Sequence, residues 1–276
     1  VGGGPTGVEL AGAFADLFNR SLHTNFRRID TTALRVVLVE AGERILNVYD
    51  DEQSDYAERR LNKLGVEVRT STKVANVTDQ CLHFENGERI EAAAIVWAAG
   101  TEASPLTSQL GVPLADRAGR VTPEPDLSLP GHPDIFVGGD LVSMKDKDGN
   151  LIPGVAPAAM QMGRHIGKVL QLQFSLPGEG SRPAFRYFDK GLMAIIGKNA
   201  AVVKSGGLRL RAFPAWLAWL FIHILFLVGF RNKLSVLLGW AFAYLRDTPD
   251  TRIIVTPHVT HPTQPGSSRS SYSDAA

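Results

Sequence analysis

The hydrophobic pattern of the first hundred residues alternates between helical and strand periodicity. Residues 8–17 repeat apolar side chains at helical spacing, and the β-branched run RVVLVEAG at 35–42 is typical of a strand buried on both faces of a parallel sheet. A polar surface helix is predicted over 52–64. Shorter strand-like runs follow as far as IVWAAG, and the Asn-Gly pair at 86–87 predicts a tight hairpin turn.

The middle of the chain is rich in Gly and Pro, but three elements stand out. PDIFVGGD at 133–140 predicts a strand that ends in two glycines and an aspartate. A helix is predicted over 156–174. Residues 184–207 predict a small antiparallel unit of FRYF, LMAIIG and AAVVKS, with its first turn at Lys190-Gly191.

The C-terminal part changes character at about residue 208. The run AFPAWLAWLFIHILFLVGF at 212–230 contains no Asp, Glu, Lys or Arg, and a second apolar segment covers 235–245. A bilayer span needs about 20 apolar residues, but Pro214, His223 and the short second segment argue against a span. The tryptophans and the flanking basic residues favour a helical pair at the headgroup boundary. A true span and a buried or dimer-contact helix remain alternatives.

Composition narrows the possible functions. The chain has 276 residues, 44% of them hydrophobic, and a formal net charge of +1, so it can bury a core and gives no global case for nucleic-acid binding. Its single cysteine, Cys81, excludes an intramolecular disulfide and a CxxC redox pair within this chain. The seven histidines form no metal-ligand pattern, so no metal site is expected. The Pro-, Ser- and Thr-rich residues 247–276 predict a disordered tail.

The opening glycines carry the clearest chemistry. Gly2-x-Gly4-x-x-Gly7 matches the dinucleotide-binding fingerprint and leads directly into a predicted helix. Gly2 permits the tight turn, Gly4 lets the backbone approach a pyrophosphate, and Gly7 lets the helix pack close to the sheet. Unpaired N–H groups at the helix start then attract the anion. A glycine-rich turn without a ligand is the alternative.

The strand RVVLVE ends in Glu40, which completes this pattern. An acidic side chain there accepts hydrogen bonds from the adenosine ribose and disfavours a 2′-phosphate, so we expect NADH rather than NADPH. The interval from Gly7 to Glu40 exceeds the usual spacing of about 20 residues, and we attribute the excess to an insertion over 20–33. A second glycine-acid pattern, IFVGGD, ends in Asp140, which on this motif alone could equally be a simple turn residue.

Six ordered blocks together resemble the two-dinucleotide-binding flavoproteins, and most closely the type II NADH dehydrogenases (NADH:quinone oxidoreductases). The resemblance covers residues 1 to about 246. The blocks are VGGGPTGVELAG (1–12), VVLVEAGERIL (36–46), IVWAAGTEASPL (95–106), IFVGGDL (135–141), PGVAPAAMQMGRHIG (153–167) and YFDKGLMAIIGKNAAV (187–202).

The resemblance implies an α/β, Rossmann-like fold that lacks its first FAD-binding segment and carries a C-terminal apolar helical membrane-binding region. It divides the chain into an NADH-binding domain at 1–100 and the C-terminal part of the FAD-binding domain at 101–175. A small β unit with membrane-associating helices at 176–246 and the tail at 247–276 follow. We therefore expect residues 1–276 alone to bind FAD poorly.

The resemblance also assigns roles to residues of this chain. Glu9, Gln161 and Lys190 are implied as catalytic: Glu9 where nicotinamide meets flavin, Gln161 on the quinone side, and Lys190 near the flavin. From the residues alone, Glu9 could be a solvated helix residue, Gln161 a polar group at a cap or core edge, and Lys190 an ordinary exposed lysine. The implied NADH contacts are Gly2, Gly4, Pro5, Thr6, Gly7, Glu40, Ala99 and Gly100, and the implied FAD contacts are Gly139, Asp140, Ala156, Pro157 and Ala158.

The activity implied by the resemblance is hydride transfer from NADH to FAD, followed by reduction of a quinone, without proton pumping. Ala156-Pro157 stands where many members of the family read Ala-Gln, which leaves the quinone geometry open. We expect attachment to a membrane surface through 212–245 on the cytoplasmic, NADH-accessible face, and a homodimer is possible. The alternatives are a flavin or ferredoxin-type reductase with a soluble acceptor and a non-catalytic NADH-binding membrane module.

Overall fold

The computed structural model describes residues 1–22, 34–175 and 182–246. Most of the predicted insertion at 20–33 lies outside these residues, as does the predicted tail at 247–276.

The first unit is a βα arrangement around a short parallel sheet. Helix α1 (Pro5–Asp16) precedes strand β1 (Val36–Val39), helix α2 (Asp51–Lys63) and strand β2 (Val66–Arg69). β1 and β2 pair in parallel, with Val36 opposite Val66. This confirms the predicted strand in 35–42 and places α2 within one residue of its predicted bounds.

Helix α1 buries a face of small residues, namely Val8, Ala11 and Ala15. The larger apolar side chains of the same helix, Leu10 and Phe14, are only partly buried and line an open apolar cavity of about 420 Å³ beside β1. Small residues permit a close approach of the helix to the sheet, so the tightest packing is on the face without the bulky side chains.

A three-stranded antiparallel meander follows, made of β3 (Val74–Thr78), β4 (Cys81–Phe84) and β5 (Arg89–Glu91). The predicted Asn-Gly turn joins β4 to β5: Gly87 has a φ of +86°, and its N–H donates to the Phe84 carbonyl.

The predicted strand IVWAAG is not formed. Its backbone instead pairs with one residue: Val1 N donates to Val96 O, and Ala98 N donates to Val1 O, both at 2.7 Å.

The middle of the chain forms a separate core. The short strands β6 (Ser128–Leu129) and β7 (His132–Phe136) pair, a 3₁₀ turn covers Gly139–Leu141, and helix α3 runs over Ala156–Ser175. Buried members of this core are Val121, Leu127, Leu129, Val137, Val142 and Met162.

A second antiparallel sheet contains β8 (Leu192–Ile195), β9 (Ala201–Ser205) and β10 (Leu208–Arg211) in the order β10-β9-β8. The prediction that FRYF supplies its first strand is wrong. Residues 182–191 contain no strand, and the third strand is β10. The Phe188 backbone pairs with the Gln161 side chain rather than with a neighbouring strand.

The second sheet packs on the first unit. Ala194, Ile196 and Val202 belong to the same hydrophobic cluster as Val8. The buried Gln53 on α2 donates from Nε2 to the carbonyls of Val203, at 2.8 Å, and Leu210. The two units therefore share one core.

The apolar C-terminal run forms two helices, α4 (Ala212–Phe226) and α5 (Phe230–Arg246). The helical conformation is interrupted between them, where Gly229 has a φ of +85°. α4 packs on β9 through the buried Ala215, whereas Phe221, Phe226 and Phe230 are exposed. Within the described residues, no helix has both the length and the apolarity that crossing a bilayer requires.

Candidate functional site

The three fingerprint glycines have different surroundings. A Cβ on Gly2, whose φ is +104°, would lie 2.6 Å from Ala98 O, and a Cβ on Gly7 would lie 1.8 Å from Gly2 O. A Cβ on Gly4 would meet nothing within 4 Å. Gly2 and Gly7 are thus required by packing. Gly4 faces open space, which a closely approaching ligand could use.

The start of α1 is open to an anion. Gly4 is the N-cap residue, no side chain caps the helix, and Pro5 occupies its first turn. The Val8 N–H bonds to Gly4 O, while the N–H groups of Thr6 and Gly7 precede the first intrahelical bond. Together with the helix dipole, these groups favour negative charge at this end of α1.

Glu40 is fixed against the glycine loop by both carboxylate oxygens. Oε2 accepts from Gly3 N at 2.6 Å, and Oε1 accepts from Gly42 N at 2.7 Å. Each oxygen keeps a further lone pair. The carboxylate is thereby held beside the loop with acceptor capacity left for a ribose hydroxyl.

Ala99 and Gly100 lie next to the same loop. The Ala99 N is 2.7 Å from the position of a Gly2 Cβ, and Gly100 has a φ of +119°. The structure therefore brings the chain segment after the meander, the glycine loop and the end of β1 to one place, although they are far apart in sequence.

Glu9 turns away from the loop and towards the second sheet. Its Oε1 accepts from Ile195 N at 3.1 Å. Partial burial raises the pKa of the Glu9 carboxyl, and the Ile195 amide and the charge of His223 oppose this rise. The side chain is thus half-buried between α1 and β8, next to the helical pair.

Tyr49 is a functional candidate that the sequence did not indicate. It is 5% exposed, and its hydroxyl has no hydrogen-bond partner among the described residues. Burial, and secondarily the Glu9 carboxylate, raises the pKa of the phenol. No periodicity or motif marks Tyr49, so its placement could be found only from the structure.

The second glycine-acid turn faces the start of α3. Gly139 has a φ of +69°, and its N–H donates to Met162 Sδ at 3.2 Å. Asp140 Oδ1 lies 3.1 Å from the position of a Gly154 Cβ, just before α3 begins.

Ala156, Pro157 and Ala158 form the first turn of α3. The structure therefore brings the predicted FAD-binding residues together.

Gln161 and Lys190 are linked through the segment between them. Both polar atoms of the Gln161 amide bond to the backbone of Phe188. The Lys190 Nζ lies 4.6 Å from the centroid of the Phe226 ring at the end of α4. Among the described residues no group of three or more His, Cys, Asp or Glu could hold a metal ion.

Two strand ends, each with glycines, an acidic side chain and a nearby helix start, define a Rossmann-like α/β fold of the dinucleotide-binding class. The chain belongs to the pyridine nucleotide-disulphide oxidoreductase family, whose model matches residues 1–163. This confirms the α/β, Rossmann-like fold class predicted from the sequence.

Relatives in sequence show which members of this family the chain resembles. The chain is 39% identical over 253 residues to the type II NADH:quinone oxidoreductase Ndh of Mycobacterium tuberculosis, covering 89% of this chain and 53% of the relative. It is 29% identical to the mitochondrial internal alternative NAD(P)H-ubiquinone oxidoreductase A1 of Arabidopsis thaliana, covering 90% and 51%. The chain thus spans about half the length of these relatives. The predicted resemblance to type II NADH dehydrogenases is confirmed.

Solved structures agree on the fold. NDH2 from Plasmodium falciparum in complex with NADH superposes with a TM-score of 0.79 at 17% identity, covering 91% of this chain and 66% of that one. An FAD-dependent pyridine nucleotide-disulphide oxidoreductase from Desulfovibrio vulgaris gives a TM-score of 0.57 at 21% identity, covering 75% and 48%. At these identities the likeness concerns the fold alone.

Proposed function

We propose that this chain is part of a membrane-associated, FAD-dependent NADH:quinone oxidoreductase that does not pump protons. The observation that carries the proposal is the convergence of the Gly2–Gly7 loop, Glu40 and the Ala99-Gly100 segment at one helix start. Two relatives, each 39% identical to this chain, support the same activity, since they are named type II NADH:quinone oxidoreductases.

NADH binds at the start of α1 in this proposal. The pyrophosphate approaches the Gly4 backbone, where a Cβ would meet nothing within 4 Å, and the Thr6 and Gly7 amides face it. Glu40 accepts the ribose hydroxyls and repels a 2′-phosphate, because its carboxylate is already held in place by Gly3 and Gly42.

FAD binds at the second glycine-acid turn. The residues present fit this group, because Gly139 and Gly154 leave the backbone free of side chains beside the Asp140 carboxylate. Asp140 would accept a hydrogen bond from the sugar-alcohol chain. The start of α3 at Ala156 would present the positive end of the helix dipole to the bound group, although Pro157 has no N–H and the Ala158 N–H already donates to Val155 O. When bound, FAD supplies hydride acceptance from NADH and electron delivery to a quinone.

The exposed faces of α4 and α5 bind a membrane surface in this proposal. Phe221, Phe226 and Phe230 are exposed, and Trp219 stacks on Trp240 between the helices with ring centroids 5.9 Å apart. Apolar and aromatic side chains on a paired helical surface suit the headgroup boundary, where a lipid-soluble quinone is concentrated. The cytoplasmic face follows from the supply of NADH, and a homodimer would extend the same surface.

The test uses the complete protein that contains this chain. We expect it to be yellow, to lose its flavin absorbance when NADH is added, and to regain the absorbance on addition of a quinone. A colourless complete protein contradicts the proposal. Reoxidation by a soluble acceptor but by no quinone instead supports a reductase with a soluble acceptor.

The membrane part of the proposal has its own test. We expect sedimentation with anionic phospholipid vesicles to depend on Phe221 and Phe226, so that a double substitution to Ser releases the protein to the supernatant. Unchanged sedimentation of this variant contradicts attachment through the helical pair.

A further inference from the structure

The side-chain amide of Gln161 is occupied by the backbone of one distant residue. Its Nε2 donates to Phe188 O and its Oε1 accepts from Phe188 N, both at 3.0 Å. Two such bonds to one residue reproduce the pairing of a neighbouring β-strand. A side-chain amide carries both the donor and the acceptor that this pairing needs, on two separate atoms. The Gln161 amide therefore holds the Phe188 backbone through one N–H and one lone pair, which fixes the orientation of both groups.

The segment 188–191 is held on its other side by the second sheet. The Ser205 hydroxyl donates to Lys190 O at 3.0 Å, and Gly191 N donates to Asp189 Oδ1 at 2.8 Å. Gly191 has a φ of +86°, and a Cβ there would lie 2.3 Å from Lys204 O. Glycine is thus required at this position, and the segment is fixed from two directions.

Lys190 extends this chain of contacts to the helical pair. Its Nζ lies 4.6 Å from the centroid of the Phe226 ring, a cation–π contact, and Phe226 is the last residue of α4. Contacts therefore run without interruption from Gln161 on α3, through Phe188 and Lys190, to the end of α4.

The neighbour of Gln161 on α3 faces the other way. Met162 is 2% exposed, and its sulfur accepts from Gly139 N at 3.2 Å, in the second glycine-acid turn. One turn of α3 thus contacts the proposed FAD-binding turn on one side and the segment 188–191 on the other.

We propose that Gln161 is a positioning residue: it fixes the backbone of Phe188 and thereby the place of the Lys190 ammonium, instead of binding the quinone itself. This inference rests on the proposed function, because the place of Lys190 affects the reaction only if electrons pass to a quinone beside it. It makes Lys190 the polar side chain through which Gln161 acts on the substrate.

The first test measures the clamp, meaning the two hydrogen bonds between the Gln161 amide and the Phe188 backbone. It follows the amide hydrogen exchange of Phe188 in this chain. Gln161→Leu removes both hydrogen bonds at nearly constant volume, and we expect Phe188 to exchange about tenfold faster. Gln171→Leu, at an exposed position of the same helix, is the matched control and should leave Phe188 unchanged. Unaltered exchange in Gln161→Leu overturns the proposal.

The second test is a double-mutant cycle in the complete, flavin-loaded protein, with a short-chain benzoquinone as substrate. We expect Gln161→Leu and Lys190→Met each to raise the quinone KM more than they lower kcat. The double variant should have a KM no higher than Lys190→Met alone, because Gln161 acts through Lys190. If the double variant instead raises KM by the product of the two single effects, Gln161 contacts the quinone independently and the proposal is overturned.

A failure of this inference can be distinguished from a failure of the proposed function. If the complete wild-type protein oxidises NADH but reduces no quinone, the proposed function is wrong. The exchange rate of Phe188 still decides, in that case, whether Gln161 clamps the segment.

Discussion

The two glycine-acid sites of this chain differ in how many backbone hydrogen bonds hold the acidic side chain in place. At the first, both oxygens of Glu40 accept loop amides, and Gly7 packs against Gly2 O. At the second, Asp140 is exposed, and the described residues place no hydrogen bond on its carboxylate. The first site is therefore preorganised for its ligand, whereas the second holds an acceptor that is still free. Substitutions at the packed positions of the first site, such as Gly7, should damage the fold and binding together, and those at Asp140 in the second should damage binding alone.

The largest expected effect separates two glycines of the first site. Gly7→Ala should destabilise the chain by about 3 kcal/mol or more, because its Cβ would lie 1.8 Å from Gly2 O in a packed interior. Gly4→Ala should leave the free energy of unfolding within about 0.5 kcal/mol, since that Cβ meets nothing, and should still weaken NADH binding. Urea unfolding and NADH titration of both variants check this. Equal stability losses in the two variants would contradict the difference in packing.

The next effect concerns the acid of the first site. Glu40→Gln replaces one accepting oxygen with a donor that faces a backbone N–H, so NADH affinity should fall about tenfold or more and the preference over NADPH should shrink. Fluorescence titration with both nucleotides measures this. Glu43→Gln, three residues away and exposed, is the matched control. Retention of the full preference by Glu40→Gln would mean that another residue reads the ribose.

A smaller effect is expected at the acid of the second site. Asp140→Asn in the complete protein should lower FAD affinity by a factor of about five and leave NADH affinity and the unfolding transition as they are. Flavin content after dialysis, compared with the exposed control Asp134→Asn, measures the loss. A cooperative loss of stability in Asp140→Asn would show that the second site is as strongly tied to the fold as the first.

The smallest effect is the pH dependence contributed by Glu9. Burial raises the pKa of this carboxyl above its ordinary value of 4.5, so the folded state favours the protonated form. Its contribution to stability is full below 4.5 and is lost as pH rises through the folded-state pKa. Glu9→Gln can still accept from Ile195 N without a charge, so it should gain a few tenths of a kcal/mol over wild type between pH 4 and pH 7. The exposed control Glu85→Gln should not, and an equal gain there would refute the role of burial.

The sequence predicted the elements whose signals are local. Helices α2 and α3 lie within one residue of their predicted bounds, because polar periodicity and flanking Gly or Pro act over a few positions. The glycine fingerprint could also be recognised from its spacing, although the contact that requires glycine at Gly2 comes from Ala98, which is distant in sequence.

What could not be predicted depends on contacts between distant residues. The bond from Ile195 N to Glu9 spans 186 positions, and the clamp on Phe188 spans 27. A side chain that pairs with distant backbone leaves no periodic trace, which is also why FRYF was misassigned as a strand. Likewise, the run 212–230 contains no Asp, Glu, Lys or Arg that would mark the end of α4 before Gly229.

The open side of β1 has a consequence for handling the chain in solution. Among the described residues β1 forms a ladder only with β2. At its other edge Val39 O accepts from Gly2 N at 2.8 Å, and the 420 Å³ apolar cavity flanks the strand. An apolar strand with free backbone groups is a template on which other chains pair, and natural proteins normally blunt such edges. Concentrated samples of residues 1–276 should therefore gel or precipitate with rising thioflavin fluorescence, at a rate set by protein concentration. Low concentration and mild detergent should keep the chain in solution.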